Sequence, residues 1–299
     1  MNPSVALVTG AAGFLGSHTI EALLAQGHRV RGLDLPGARF EDSLGALLDH
    51  PGLSLDKRDL LDIPADDPIF AGVDVIYHCA GIADHVPSLQ VPERYMQANV
   101  MAVVRVLEAA RHHKVRKVIN ASSAAVYGIA AAPTAEDHPI NPVNPYGLTK
   151  WMAEEACAHW SKVFGVATLS FRIFNCYGPR ATASGPIGFF LKKAAAGEAL
   201  TVTGDGTQER DFIHVSDVVA AFLAGAASEK SSAAYNLGSG RPETVNRLAE
   251  LVGGAITYIP ARPGEPKVIL ADTTRIRAEL GWEPKVSLAA GIAALKTVG

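Results

Sequence analysis

Two side chains near the middle of the sequence can act together on one proton. Tyr146 and Lys150 are four residues apart in the segment Pro-Tyr-Gly-Leu-Thr-Lys, and on a helix this spacing puts both on one face, one turn apart. A phenol has a pKa near 10, so ionising it at pH 7 means lowering that pKa by about 3, or roughly 4 kcal/mol. A nearby positive charge, such as the Lys150 ammonium, acts in this direction. The pair therefore favours Tyr146 as a general base.

A third side chain, a serine hydroxyl, is predicted to contact the same reacting group. Ser122 and Ser123 directly follow the run 117–121, which has the composition of a strand, and doubly wound sheets bind ligands at the carboxyl ends of their strands. Ser123 is thus placed to hydrogen-bond the oxygen that Tyr146 deprotonates. Taken singly, each of these residues is more often structural, and the Tyr-x-x-x-Lys spacing is common by chance. An ordered set that adds a glycine-rich loop and an aspartate is much harder to obtain by accident.

The glycine-rich loop opens the first predicted helix. The segment Gly10-Ala11-Ala12-Gly13-Phe14-Leu15-Gly16 follows a predicted strand at 5–9 and leads into a helical pattern at 14–26. Glycines let the backbone turn tightly and approach a pyrophosphate, whose charge meets the positive end of the helix. The sequence therefore predicts a dinucleotide site with contacts from Gly10, Ala12, Gly13, Phe14, Leu15 and Gly16. The alternative is a tight turn without a ligand.

The ends of three further strands complete the predicted dinucleotide site. Asp34 ends the second strand, 18 residues after Gly16, close to the spacing of about 20 expected for a carboxylate on the adenosine ribose. Because a carboxylate repels a 2′-phosphate, NAD is predicted over NADP, although Asp34 has the alternative of a turn residue. Asp59 and Leu60 follow the third strand and are expected to border the adenine. Cys79-Ala80-Gly81 end the fourth, with Cys79 expected as a small buried side chain rather than a nucleophile.

These side chains require an alternating arrangement of strands and helices. Short β-branched runs at 5–9, 29–34, 53–57, 73–79, 117–121 and 167–171 are separated in several places by helical patterns, at 14–26, 92–113 and 145–164. Such alternation predicts right-handed crossovers and a parallel sheet that is covered on both faces. We therefore expect an α/β fold with a Rossmann-type, doubly wound parallel sheet in an NAD-binding domain at residues 1–174.

The pattern changes after residue 174. The segment 201–210 reads as a short hairpin around Gly204-Asp205-Gly206, and helical patterns recur at 215–227, 244–252 and 273–280. We expect a smaller mixed α/β substrate-binding region at residues 175–299, some of whose segments rejoin the first domain.

Composition excludes several classes of protein. The 299 residues include 27 Lys and Arg against 30 Asp and Glu, a formal net charge of −3, which gives no electrostatic footprint for nucleic acid. Three cysteines without CxxC spacing disfavour a disulfide framework and a zinc site, and no metal is predicted. The longest apolar runs are about half the roughly 18 residues that a membrane span needs. A cytoplasmic enzyme is the expectation.

Several longer segments of the sequence resemble those of a known enzyme family. The sequence resembles the extended short-chain dehydrogenase/reductases, in their NAD-dependent sugar-nucleotide epimerase/dehydratase branch, and most of all UDP-glucose 4-epimerases. The resemblance covers essentially the whole chain and rests on the segments TGAAGFLGSH (9–18), SSAAVYG (122–128), PYGLTK (145–150), FRIFNCYGPR (171–180), GDGTQERDFIHVSDV (204–218), YNLGSG (235–240) and LGWEPK (280–285). It implies Tyr146 as general base, Lys150 as its electrostatic partner and ribose ligand, and Ser123 as a hydrogen-bond partner.

The resemblance also implies ligands outside this group. Asn175 and Arg210 are implied to hold a nucleotide diphosphate, Arg262 and Glu265 the nucleoside, and Asn99 the cofactor. A guanidinium fork suits phosphate oxygens, although a surface ion pair with a neighbouring acid at 209 or 211 is the alternative for the arginine. A homodimer through the helices at 92–113 and 145–164 is implied as well.

The two residues after Ser123 narrow the reaction. The family's 4,6-dehydratases carry an Asp-Glu pair there, its decarboxylases a glutamate and its 3,5-epimerases a cysteine, because those reactions need a further acid or base. Ala124 and Ala125 supply neither. The prediction is an NAD-dependent 4-epimerase of a nucleotide-diphospho-sugar, a UDP-hexose by the family's prior, acting through a 4-keto intermediate. A 4-keto sugar-nucleotide reductase and a non-catalytic dinucleotide-binding protein are the alternatives, and His85 is a candidate substrate contact.

Overall fold

Residues 4–181, 185–261 and 264–298 are described in a computed structural model, and their contacts divide the chain into two units. Unit 1 comprises Met1–Gly128, Ile140–Arg172 and Ala221–Tyr235. Unit 2 comprises Ile129–Pro139, Ile173–Ala220 and Asn236–Gly299. The sequence-based boundary between residues 174 and 175 stays a prediction.

Unit 1 is built on a seven-stranded sheet. Its strands are β1 (Val5–Thr9), β2 (Arg29–Asp34), β3 (Leu53–Lys57), β4 (Val75–His78), β5 (Lys117–Ser123), β6 (Thr168–Ile173) and β10 (Ala233–Leu237). They lie in the order β10-β6-β5-β4-β1-β2-β3, and the pairs β1–β2, β2–β3, β1–β4 and β4–β5 are parallel. The order reverses between β1 and β4, which is where doubly wound sheets bind ligands. The predicted Rossmann-type fold is confirmed.

Helices flank this sheet. They are α1 (Phe14–Ala25), α2 (Phe40–Leu44), α3 (His85–Ser88), α4 (Pro92–Tyr95), α5 (Ala102–His113) and α6 (Pro145–Phe164). Strand residues such as Leu7 and Ile76 share one buried apolar cluster with Val106 of α5 and Ala153 of α6. Burial of this apolar surface fixes the two long helices against the sheet.

One predicted helix of unit 1 is interrupted. The pattern at 92–113 predicts a single helix, but a π-helical stretch at Met96–Met101 separates α4 from α5. Such stretches occur mostly as single turns inside α-helices, frequently at functional sites. This one carries Asn99, whose side chain reaches the loop that follows β4.

The helix that carries Tyr146 and Lys150 begins and ends as predicted. Asn144 caps it, because its side-chain oxygen accepts a hydrogen bond from the Gly147 N–H at 2.8 Å, and Pro145 occupies the first turn. Both residues are favoured at these positions, since the cap satisfies a free N–H and proline has none to satisfy. This local chemistry fixes where α6 starts, and therefore where the Tyr146 ring lies.

The remaining elements are shorter strands and helices. The strands are β7 (Asn175–Tyr177), β8 (Leu200–Thr203), β9 (Glu209–His214), β11 (Pro242–Thr244), β12 (Ile256–Ile259) and β13 (Val268–Ile269). The helices are α7 (Pro186–Ala195), α8 (Val215–Ala227), α9 (Val245–Val252), α10 (Thr274–Leu280) and α11 (Leu288–Val298). In unit 2, Val202 and Phe212 share a buried apolar cluster with Phe190, Leu248 and Ile292.

The predicted hairpin at 201–210 is wrong. A turn does form there, because the Asp205 carboxylate accepts the Thr207 N–H at 3.0 Å. The strands on either side nevertheless do not pair with each other: β8 is parallel to β12, and β9 lies beside β7, β11 and β13. A local turn signal says nothing about partners that lie more than 50 residues away along the chain. Helices α7 and α11 are also absent from the sequence-based expectations.

Among the described residues, no helix is both long enough and apolar enough to cross a membrane. The predicted cytoplasmic location stays a prediction.

Candidate active site

Two glycines of the glycine-rich loop, Gly10 and Gly16, lie so close to other backbone atoms that a side chain would not fit at either position. A Cβ atom on Gly10 would lie 2.7 Å from the backbone nitrogen of Ala80, and one on Gly16 would lie 2.0 Å from the carbonyl oxygen of Gly10. The Gly10 backbone therefore packs directly against the backbone that follows β4, and the first turn of α1 packs directly against Gly10. Exposed N–H groups at a helix start suit a pyrophosphate, so these residues fit the predicted dinucleotide.

Asp34 is fixed beside this loop. One oxygen of its carboxylate accepts the N–H of Ala12 and the other accepts the N–H of Leu35, both at 2.8 Å. The structure therefore brings together the predicted phosphate loop and the predicted ribose ligand within unit 1. A negative charge held at this point disfavours a 2′-phosphate, and the preference for NAD over NADP stays a prediction.

Two of the predicted cofactor residues are already engaged in holding the backbone. Asp59 caps the short turn Leu60–Asp62 by accepting the Leu61 N–H at 2.9 Å. Asn99 is buried, and its side-chain oxygen accepts the Ile82 N–H at 2.8 Å while its nitrogen donates to the Ile82 carbonyl and to the Thr149 hydroxyl. Asn99 thereby fixes the loop after β4 and ties it to α6. Its direct contact with the cofactor stays a prediction.

Cys79 lies at the end of β4 between these groups. Burial raises the pKa of its thiol to about 12. A thiol that keeps its proton is a poor nucleophile, which agrees with the expectation that Cys79 is a small packing residue.

The three predicted catalytic side chains come together at the carboxyl end of β5. Tyr146, Lys150 and Ser123 are all buried. The Ser123 hydroxyl is hydrogen-bonded to the Tyr146 phenol and accepts the Ala125 N–H at 3.1 Å. The Lys150 ammonium donates to the carbonyl of Ala121, in β5, at 2.8 Å. Helix α6 and strand β5 thus hold one proton-transfer group, its hydroxyl partner and a cation in one place.

The protonation states of this cluster follow from burial. Burial raises the pKa of Tyr146 to about 12, against the opposing effect of its hydrogen bond with Ser123. Burial lowers the pKa of Lys150 to about 8. The lowered phenol pKa that the sequence leads us to expect is therefore not reached in the protein alone, because desolvation of the phenolate outweighs the hydrogen bond with Ser123 and the Asp84 charge acts in the same direction as burial. At pH 7 the phenol keeps its proton.

A buried ion pair behind the cluster escaped the sequence analysis. The Arg172 guanidinium contacts the Glu154 carboxylate at 2.8 Å, the Ser122 hydroxyl donates to the same carboxylate, and Arg172 also donates to the Tyr127 hydroxyl at 2.8 Å. The available signals were Glu154, one turn after Lys150, and an arginine within an otherwise uncharged strand. The network joins β5, β6 and α6 next to the predicted catalytic side chains.

In unit 2 the predicted substrate ligands are bound to one another or to the backbone. The Arg210 guanidinium pairs with Glu265 at 2.6 Å and donates to the Glu209 carbonyl, so the acid that pairs with it is neither of the neighbours considered from sequence. The Asn175 side chain donates to the Asp211 carbonyl at 3.1 Å. Arg262 lies outside the described residues.

Asp211 is a further residue that the sequence analysis missed. It is fully buried, and its carboxylate accepts hydrogen bonds from the backbone of Ser239, Gly240 and Ala271 and from the Ser239 hydroxyl. Four donors on one carboxylate fix the strand that carries Arg210. Its adjacency to that arginine in the sequence was the available signal.

Comparison with known proteins agrees with this geometry. A family model described as the NAD dependent epimerase/dehydratase family matches residues 6–238. The chain belongs to this family. The predicted family membership is confirmed, and NAD is the family's cofactor, as the glycine loop and Asp34 led us to expect.

Members with assigned activities and solved members both match over nearly the whole chain. A UDP-glucose 4-epimerase of Mycolicibacterium smegmatis is 35% identical and aligns over 98% of this chain and 96% of its own. A UDP-N-acetylglucosamine 4-epimerase from Methanobrevibacter ruminantium M1 has a TM-score of 0.92 at 28% identity and 100% coverage of both chains. A UDP-glucuronic acid 4-epimerase from Bacillus cereus, solved with UDP-glucuronic acid and NAD, has a TM-score of 0.90 at 29% identity, covering 99% of this chain and 100% of its own.

Proposed function

We propose that the protein is an NAD-dependent 4-epimerase of a UDP-hexose. The main support is the buried cluster of Ser123, Tyr146 and Lys150 next to Ala124 and Ala125, which supply neither the acid and base of a dehydratase nor the thiol of a 3,5-epimerase. The three relatives named above are 4-epimerases of three different UDP-sugars, which supports both the UDP group and inversion at C4.

The cofactor would be held by groups that the fold already fixes. The backbone N–H groups around Gly10, Gly13 and Gly16 bind the pyrophosphate, the Asp34 carboxylate accepts hydrogen bonds from the adenosine ribose, and Lys150 binds the second ribose. When bound, NAD accepts and returns a hydride, and its oxidised ring adds a positive charge near the phenol. Because burial alone keeps Tyr146 protonated, the phenolate base forms only in the loaded protein.

The chain's own residues then move one proton and hold one oxygen. Ionised Tyr146 accepts the proton of the sugar O4 hydroxyl as the C4 hydrogen leaves as hydride, and the product is a 4-ketone. The Ser123 hydroxyl donates to that oxygen in both directions. The diphosphate stays bound to Asn175 and Arg210 while the keto sugar rotates about its link to the phosphate. Tyr146 would give its proton back to O4 as the opposite face of C4 is reduced, and the net change is inversion.

A panel of nucleotide sugars tests this function. The protein is incubated with UDP-glucose, UDP-galactose, UDP-N-acetylglucosamine and UDP-glucuronate, with and without added NAD, and the C4 configuration is followed by NMR. We expect interconversion of one C4 pair without net consumption of cofactor. Stoichiometric oxidation of NADH or NADPH by a 4-keto sugar nucleotide, with no interconversion, would indicate a reductase instead. Tight NAD binding without any turnover would indicate a non-catalytic binding protein.

We also propose that the protein is a homodimer through α5 and α6. Each of these helical segments carries an apolar side chain that is exposed: Met101, just before α5, is 52% exposed, and Leu148, on α6, is 38% exposed. Contact with a second copy of the chain would cover such apolar surface. Sedimentation analysis should give twice the mass of one chain, and Met101→Glu should shift the protein towards monomer. A wild-type monomer at micromolar concentration would contradict this assignment.

A further inference from the structure

The ring of Tyr146 is flanked by two aromatic side chains from the segment after β4. The His85 ring lies 4.9 Å from the Tyr146 ring, centroid to centroid, and the Tyr95 ring lies 6.5 Å away, edge-on. The Tyr95 hydroxyl donates to the Asp84 carbonyl at 2.6 Å, which fixes the residue just before His85. The imidazole is therefore held against the catalytic phenol rather than placed there by a free loop.

The imidazole keeps hydrogen-bonding capacity at this position. His85 is exposed although one side of it packs on Tyr146. Its Nδ1 lies 3.5 Å from the Asn144 side-chain nitrogen, at the outer limit of a hydrogen bond, and Asn144 already uses its oxygen to cap α6. Its Nε2 has no hydrogen-bond partner among residues 4–181, 185–261 and 264–298.

The partial burial of His85 favours a neutral ring. Desolvation by the packed side lowers the pKa of His85, with the Asp84 carboxylate as the opposing charge. Of the groups packed against it, Tyr146 keeps its proton at pH 7 and burial raises the pKa of Tyr95. A neutral imidazole has one donor and one acceptor nitrogen, which suits a hydroxyl.

We propose that His85 hydrogen-bonds the hexose of the substrate, at a hydroxyl next to the reacting O4, and so contributes to sugar recognition. The proposal rests on the proposed function, because it requires C4 of a nucleotide hexose to lie at Tyr146. The reacting oxygen must come within hydrogen-bond reach of the phenol. A hexopyranose carries a hydroxyl on C3, next to C4, and this hydroxyl is the one we assign to the imidazole that packs on the Tyr146 ring.

Binding of UDP-glucose and of UDP by the NAD-loaded protein separates sugar recognition from nucleotide recognition. Calorimetry gives both dissociation constants for wild type, His85→Val and His85→Gln. We expect His85→Val to weaken UDP-glucose binding about tenfold, as for the loss of one hydrogen bond, while the dissociation constant of UDP stays unchanged. His85→Gln retains a donor and an acceptor, so it should bind UDP-glucose almost as tightly as wild type. The control is His112→Val, at the exposed end of α5, which should change neither constant.

Two results for His85→Val would overturn the inference. Equal weakening of UDP and UDP-glucose would mean that His85 acts only by holding the segment after β4. Unchanged binding of UDP-glucose would mean that it does not touch the sugar. Failure of the proposed function itself is visible in wild type, as UDP-glucose that binds no tighter than UDP, and would remove the premise before any variant is measured.

Discussion

The predicted reactive residues of unit 1 and the predicted substrate ligands of unit 2 are held in different ways. Tyr146 and Lys150 are buried and are hydrogen-bonded to neighbouring groups of β5. Arg210 is also buried, but its partner Glu265 is 27% exposed. Desolvation therefore sets the chemistry of unit 1, whereas unit 2 offers a guanidinium whose partner water or an anion can replace. The first arrangement suits proton transfer, and the second suits binding and release of a charged ligand.

The chain holds a matched pair of contacts that makes this difference measurable. Each unit has an arginine–glutamate ion pair whose arginine is buried: Arg172 with Glu154, at 9% and 6% exposure, and Arg210 with Glu265, at 8% and 27%. Removing one partner of a fully buried pair leaves an uncompensated charge, which is far more destabilising than the loss of a pair open to water. Removing one partner from each pair therefore measures how much the free energy of unfolding depends on that ion pair.

The largest effect is expected from replacing Tyr146, the residue of unit 1 that we propose transfers the proton. Tyr146→Phe removes the acid–base hydroxyl and keeps the ring, so the rate of C4 interconversion should fall about 10³-fold. NMR of the UDP-sugar gives the rate, while the affinity for NAD and the midpoint of urea unfolding should not change. The control is Tyr258→Phe in unit 2, because this tyrosine is exposed and its hydroxyl donates to the Asn246 side chain at 3.2 Å. A Tyr146→Phe protein with near-normal turnover would break the assignment.

The two ion pairs give the next largest effect. Glu154→Gln should lower the free energy of unfolding by about 3–5 kcal/mol, because Arg172 is left charged and buried. Glu265→Gln should lower it by no more than about 1 kcal/mol, because its site is open to solvent. Urea unfolding of both variants measures the contrast, with Glu155→Gln, at the exposed neighbour of Glu154, as a control within about 0.5 kcal/mol of wild type. Similar losses for the two ion-pair variants would remove the distinction between the units.

The affinity for UDP should depend on Arg210 of unit 2. Arg210→Ala should weaken UDP binding by about 2 kcal/mol, or roughly 30-fold, which is the range for a hydrogen bond to a charged group. The affinity for NAD should stay the same. Arg247→Ala removes an exposed arginine of the same unit that pairs with Glu250, and it should leave UDP binding unchanged. Calorimetry with UDP measures both variants, and equal affinities for wild type and Arg210→Ala would exclude it as a diphosphate ligand.

The sequence predicts what is local and misses what is distant. Strands β1, β2 and β3 and helix α6 have their predicted bounds, because apolar patterning and the Asn144 cap act within a few residues. The cluster of Tyr146, Lys150 and Ser123 is predicted because helical spacing and a strand end place them. The partner of Glu154 lies 18 residues away in sequence, and nothing in its own segment indicates an arginine on the neighbouring strand. The failed hairpin has the same cause.

His78 has a more distant partner than Glu154 does. It is fully buried in β4, and its Nδ1 is 2.8 Å from the hydroxyl of Thr9, 69 residues earlier. The Thr9 hydroxyl also accepts the N–H of Ala80, so the pair joins the ends of β1 and β4 beneath the glycine loop. Its Nε2 is buried without a partner among the described residues. Burial lowers the pKa of His78 to about 3.

This pKa predicts how acid acts on unit 1. The unfolded chain takes up a proton on His78 below about pH 6.5, while the folded chain takes it up only near pH 3. Between these values the unfolded state binds more protons, so the free energy of unfolding falls as the pH falls, by about 2 kcal/mol from pH 7 to pH 5. His78→Asn should lose this part of the slope in urea unfolding measured across that range. His214→Asn, at a half-buried histidine of unit 2 whose pKa is also lowered by burial, should change the slope less. An unchanged slope in His78→Asn would show that the buried β1–β4 contact is not what makes unit 1 sensitive to acid.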